Sequence, residues 1–148
     1  MYPKINEEKH SLHKKTIALV AHDTQKNKLL DWCHVHQRVL SHHRLCSTAS
    51  TGALLEIKLG FHVHKFKSGP LGGDQQIGAG IVEGKVDCLI FFIDPLSSHP
   101  HDVDVKALMR IAIVYDVPIA INAATADFII VSNLMRTKRV YLVQKSGI

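Results

Sequence analysis

Val86-Asp87-Cys88-Leu89-Ile90-Phe91-Phe92-Ile93 is the most telling stretch of this chain. Apart from Asp87 it is unbroken in apolar and β-favouring residues. A strand with one face in water alternates polar with apolar; a run that does not alternate is expected to be covered on both faces, as in a parallel sheet flanked by helices. The stretch is therefore expected at the centre of such a sheet.

The sequence on either side supports this. Upstream, Gln75 to Glu83 carries Ile77 and Ile81 four apart and ends at Gly84, which predicts a helix, and before it lies the glycine-rich loop Ser68-Gly69-Pro70-Leu71-Gly72-Gly73-Asp74. Phe61 to Phe66 is a weaker strand, and Thr51 to Leu59 a helix closed by Gly60, where a left-handed cap is easily formed. Arg44 to Thr48 predicts a strand, Lys26 to Leu40 a helix with Leu29, Cys33, His36 and Leu40 at helical spacing, and Thr16 to Ala21 the first strand. Downstream, Val105, Leu108, Met109 and Ala112 mark a helix, Val117 to Ile121 a fifth strand, Thr125 to Ser132 a last helix, and Val140 to Val143 a candidate edge strand. Strands alternating with helices need crossover connections, so the expected fold is α/β: a three-layer sandwich with a mainly parallel five-stranded sheet and helices on both faces.

With 148 residues, one core and one domain over residues 1–148 are expected, residues 1–14 forming a loosely ordered extension. No apolar stretch is long enough to cross a bilayer, and the N-terminus runs into charged residues without an apolar signal region, so a cytoplasmic location is expected. Cys33, Cys46 and Cys88 are odd in number and far apart, which points to buried thiols rather than disulfides or a zinc knuckle. The net charge of +5 is spread along the chain with few aromatics, so no nucleic-acid surface is expected and an anionic small molecule fits as well. Eleven histidines raise the question of a metal. His34 and His36 point to different faces of a helix, and His62 and His64 lack further ligands at metal spacing, so none is expected.

In open parallel sheets ligands bind beyond the carboxyl ends of the strands. The residues that follow the predicted strands are His22, Asp23 and Lys26; Thr48 to Thr51; Ser68 to Asp74; Asp94 to Asp104; and Asn122 to Thr125. Hydroxyls, glycine amides, a lysine, histidines and carboxylates thus converge on one rim. Thr48-Ala49-Ser50-Thr51-Gly52, at a strand-to-helix junction, offers free amides and hydroxyls to an anion, although Ser50 or Thr51 could equally be a plain helix cap. Ser68 and Gly69 could form the other half of a phosphate site with Lys26 supplying charge. Asp74 reads as a helix cap or as a general base whose basicity rises in a closed pocket. In the loop Asp94 to Asp104, either His99 or His101 could polarise a carbonyl, and Asp102 or Asp104 could cap the next helix or orient an imidazole.

With these segments in hand, the chain from about Thr16 to Ser132 resembles the methylglyoxal synthase family. The resemblance is carried by Leu19-Val20-Ala21-His22-Asp23, Ser68-Gly69-Pro70-Leu71-Gly72-Gly73-Asp74-Gln75-Gln76, Phe91-Phe92-Ile93-Asp94-Pro95-Leu96, Pro100-His101-Asp102-Val103-Asp104-Val105-Lys106-Ala107-Leu108 and Ala124-Thr125-Ala126-Asp127-Phe128. It implies a lyase that converts dihydroxyacetone phosphate to methylglyoxal and inorganic phosphate through an enediolate. It further implies Asp74 as catalytic base, His101 bonded to substrate oxygens and Asp104 as a second essential carboxylate. His22 and Asp23 match pocket residues, and Lys26, Thr48, Ser50, Thr51, Ser68 and Gly69 the phosphate-binding set, with Ala49 lying among them. No metal or organic cofactor and a homohexamer are implied. Ala49 stands where the family usually has glycine, a position strained for alanine only if φ is positive, and Ser50 where threonine is commoner. The sequence ends at Gln144-Lys145-Ser146-Gly147-Ile148, short of the arginine-bearing tail through which relatives reach a neighbouring subunit's phosphate site, so that contact is not expected here. A non-catalytic ligand-binding module of the kind attached to carbamoyl phosphate synthetases shares such phosphate loops; the presence of Asp74, His101 and Asp104 speaks for the enzyme.

Overall fold

The computed structural model describes residues 13–138. The expectations for residues 1–12 and for a strand at 140–143 lie outside these. In chain order the elements are β1 (Thr16–Ala21), α1 (Lys26–Val35), α2 (Gln37–Leu40), β2 (Arg44–Ser47), α3 (Ala49–Leu59), β3 (Val63–Lys65), α4 (Gly73–Val82), β4 (Cys88–Phe92), α5 (Asp102–Val114), β5 (Ile119–Ala120) and α6 (Ala123–Ile130). Short 3-10 turns lie at Asp23–Gln25, Gly69–Leu71 and Asn133–Arg136.

The five strands form one sheet in the order β3-β2-β1-β4-β5, with every neighbouring pair parallel. Side chains along β1 alternate between two cores. Ile17, Leu19 and Ala21 pack with Leu29, Trp32, Leu55 and Ala126 of α1, α3 and α6, whereas Ala18 and Val20 pack with Ile77, Ile81, Val105 and Leu108 of α4 and α5. That is the three-layer α/β sandwich the sequence implied. The five residues of β4 are all buried, as their apolar run requires, but β1 holds the middle place and β4 lies between β1 and β5.

Several boundaries differ from the periodicity. The helix expected over Lys26 to Leu40 is interrupted at His36 (φ −100°, ψ 18°), where Nε2 lies 3.1 Å from Asp127 Oδ1 and the Trp32 indole N–H donates to the same oxygen at 2.9 Å. Val86 and Asp87 precede β4 rather than joining it; the Asp87 carboxylate accepts the Thr16 N–H at 2.8 Å and so ties down the start of β1. The third and fifth strands shorten to Val63–Lys65 and Ile119–Ala120, because only these residues face a partner strand. Burial pushes the Cys33, Cys46 and Cys88 thiols up to about 12, in keeping with their reading as inert core residues.

Candidate active site

The strand order reverses between β1 and β4, and the chain departs from the sheet there in opposite directions. The gap this leaves above the carboxyl ends is where such sheets bind ligands. His22 bridges it. Its N–H donates to the Phe92 carbonyl at 3.1 Å, extending the ladder by one bond, and its Nδ1 accepts the Asp94 N–H at 2.9 Å. The Asp94 carboxylate accepts the Thr24 hydroxyl at 2.7 Å and the Leu96 N–H at 2.9 Å; the Thr24 bond is the main reason its pKa falls to about 2.

A cavity of about 110 Å³ opens at this point. His22, Asp23 and Lys26 from the first rim loop, Thr48 and Ser50 from the second, and Ser68, Gly69 and Asp74 from the third all line it, with His101 from the fourth. The Lys26 ammonium lies 2.8 Å from both Ser50 Oγ and Asp23 Oδ1, tying the first two loops together. Neither Ser50 nor Thr51 caps a helix: α3 begins at Ala49, Thr48 holds the cap position in extended geometry, and no side chain there bonds an amide. The first-turn N–H groups have no intrahelical acceptor and face the rim. Ala49 is helical, and Asp116 is the one described non-glycine residue at positive φ, so alanine introduces no strain.

The glycine-rich loop turns on itself, the Ser68 carbonyl accepting both the Leu71 N–H at 3.0 Å and the Gly73 N–H at 2.9 Å. Gly72 at φ 104° lies where other residues are strained, and Gln76 Oε1 accepts the Lys67 N–H at 2.8 Å. This fold delivers Asp74 as the second residue of α4. It is not a cap: the cap position belongs to Gly72, and Asp74 is only 2% exposed, with Oδ2 lacking any partner. Burial raises its pKa above the ordinary aspartate value; His101 opposes the rise and the Asp104 charge reinforces it. A buried, unpartnered carboxylate is an unusually basic one, and the helix N-terminus favours its anionic form.

His101 sits at the cap position of α5, its Nδ1 buried without a partner. A methyl placed on Gly69 would lie 3.4 Å from His101 Nε2 and 3.6 and 3.7 Å from the Asp74 oxygens, so both groups face the space beside that glycine. Asp104 stands outside the cavity wall and acts on Asp74 through its charge. Ala49 and Thr51 are also outside the wall; Thr51 is buried, its hydroxyl unpartnered. Phe91, Pro70 and His99 join the wall. The sequence offered a signal for His99, as one of two histidines in the same loop, and for Pro70, within the glycine-rich rim loop, but read Phe91 only as part of a buried strand. A larger groove of about 460 Å³ lies toward the amino ends of β1 and β2, against α4; none of the rim residues reaches it.

Residues 28–121 match the model of the MGS-like domain. The methylglyoxal synthase of Cellvibrio japonicus is 56% identical over 123 residues, which are 83% of this chain and 80% of that protein. That of Clostridium acetobutylicum is 54% identical over 123 residues, 83% and 85% of the two chains. The crystal structure of methylglyoxal synthase from Elizabethkingia anophelis NUHP1 superimposes with a TM-score of 0.81 at 49% identity, covering 84% of this chain and 82% of that one. Identity of this extent over most of the chain, on a matching fold, means that the chain belongs to the methylglyoxal synthase family.

Proposed function

We propose that this protein converts dihydroxyacetone phosphate to methylglyoxal and inorganic phosphate, with Asp74 as general base. The observation that carries the assignment of the base is the buried, unpartnered Asp74 carboxylate facing the same point as His101, in a cavity rimmed by phosphate-type donors. With the phosphate held at Lys26, Thr48, Ser50, Ser68 and the first turn of α3, where Ala49 and Thr51 lie, the carbon chain extends toward Gly69. Asp74 takes a proton from the hydroxymethyl carbon. The released electron pair forms the carbon–carbon double bond, and the carbonyl oxygen takes up charge against an N–H of His101, with His22 beside it. Asp104 sustains the basicity of Asp74, and Asp23 holds the Lys26 ammonium in place.

The enediolate's remaining hydroxyl then gives up its proton as its oxygen forms the aldehyde carbonyl; the carbon–carbon double bond shifts toward the methylene carbon, and the bond to the phosphate oxygen breaks with its electron pair and that proton leaving on phosphate. The resulting enolate takes the proton held by Asp74 onto the methylene carbon and becomes methylglyoxal. Elimination requires the bond to the phosphate oxygen to stand perpendicular to the enediolate plane; in the plane, reprotonation to the isomer competes. The phosphate-holding donors fix that torsion. Purified protein given dihydroxyacetone phosphate is expected to release methylglyoxal and phosphate in equal amounts. Phosphate without methylglyoxal, an isomerised triose phosphate, or binding without turnover would each overturn the assignment.

Gly69→Ala gives a second check. The methyl makes ordinary contacts, so the fold and thermal midpoint should hold, yet it occupies the space between base and acid. A loss of kcat/KM of roughly 10- to 200-fold is expected, the effect of one misplaced methyl in a fitted pocket. Wild-type kinetics in this variant would move the reacting carbons elsewhere. The proposal includes a homo-oligomer, a hexamer by the family resemblance, acting in the cytoplasm without metal, organic cofactor, nucleic acid or membrane. Exposed Ile121, Phe128, Val131 and Leu134 around α6 support self-association. No helix among the described residues is long and apolar enough to cross a membrane.

A further inference from the structure

His22 stands in the cavity wall with one of its two ring nitrogens unpartnered. Its Nδ1 accepts the Asp94 N–H, so in the neutral ring the proton resides on Nε2, which is buried and unpartnered. That makes His22 a ready N–H donor. A second proton would have to sit on Nδ1, pointing at the Asp94 N–H, and would break the bond that orients the ring.

His99 lies flat on His22, with centroids 3.8 Å apart and planes 24° from parallel. Phe91 meets His22 edge-on at 5.1 Å, and the His101 ring stands 6.2 Å away from it. One face of the His22 ring is thereby covered, and positive charge on His99 disfavours a second charge on its neighbour. We propose that His99 is a positioning residue for the elimination: it acts through His22, holding that ring neutral, oriented and ready to donate to the substrate oxygens. The assignment rests on the cavity being the reaction site proposed above.

The surrounding charges are mixed. Burial most strongly opposes a proton on His22, followed by His99 and His101, while Asp102 and Asp94 favour one; the paired Asp23 and Lys26 stand on the same wall. The net effect lowers the pKa of His22 below the ordinary imidazole value.

His99→Ala and His99→Phe in the full chain test this, by steady-state kinetics with dihydroxyacetone phosphate and by nitrogen NMR of the imidazoles across their titration range. His99→Ala should lower kcat about tenfold, the worth of one misaligned hydrogen bond, with a smaller change in KM. The acid limb of its pH profile should move to higher pH as His22 takes its second proton more readily. His99→Phe, which keeps the cover and loses the charge, should recover most of the rate at alkaline pH and keep the displaced acid limb. If the His22 titration and the acid limb stay where they are in both variants of an active enzyme, the positioning role is overturned, whatever happens to the rate. A wild type that releases no methylglyoxal overturns the proposed reaction instead, and the His22 resonance still reports on the stack.

Discussion

Asp74→Asn is expected to remove methylglyoxal formation, lowering kcat by about 10³-fold, within the range a positioned general base contributes. The amide has nearly the same shape as the carboxylate but cannot take a proton from carbon. The same substitution should leave the protein folded and more stable. Burial makes the ionised Asp74 the costly form, so its folded pKa lies above the unfolded one. Such a group contributes its full stability below the unfolded pKa and loses it as pH rises through the folded pKa. At neutral pH the wild type carries that cost and the amide does not. The thermal midpoint of Asp74→Asn should therefore exceed that of the wild type near pH 7, with the difference closing as pH falls toward about 4. A variant that keeps its turnover would remove Asp74 from the chemistry. One that loses turnover together with its folded structure would make the residue a structural element.

Gly73→Ala should be nearly as damaging for a different reason. A Cβ at this position would sit 2.0 Å from the Lys67 carbonyl oxygen and 2.9 Å from Thr48 Cγ2, and the first obstacle is backbone. Either the loop over residues 67–73 or the first turn of α4 must shift, and Asp74 is the next residue. A stability loss of about 1–3 kcal/mol is expected from the overpacking. A displacement of about 1 Å at the base should reduce kcat by roughly 100-fold. Gly52→Ala is the matched control. Its Cβ meets Lys65 Cγ at 2.7 Å, on a flexible side chain, and a helical alanine gains up to about 1 kcal/mol over glycine, so its net effect on stability should be small. Chemical denaturation and kinetics on both variants decide the matter: equal effects would mean that glycine at 73 serves only helix entry.

Much of this was legible in the residues themselves. The apolar runs Thr16–Ala21 and Cys88–Phe92 could be satisfied only by cover on both faces, and the glycines at 60 and 84 end helices at positive φ as their type suggests. The four loops that carry the chemistry were readable as well, because in a parallel sheet the chain must leave each strand at the same rim. Less legible was the role of any one polar residue within its loop. Asp74, and Ser50 or Thr51, could each be read as caps, since a cap and a ligand donor use the same short side chains at helix starts. The expected caps fail because the backbone of Thr48 and of Gly72 takes those positions.

What the sequence determined by itself is therefore the sheet, its direction and the set of loops on its rim, all of which follow from local patterns of burial and turn chemistry. The properties that make a reaction site were decided only by the tertiary structure: the dryness of Asp74, the placing of Asp104 outside the wall, and the tautomer of His22. Each depends on atoms distant in the chain, as in the bond from Asp94 to His22 across 72 residues. A pKa or a ring orientation is set by whatever surrounds the group, and that environment exists only once the strands have paired.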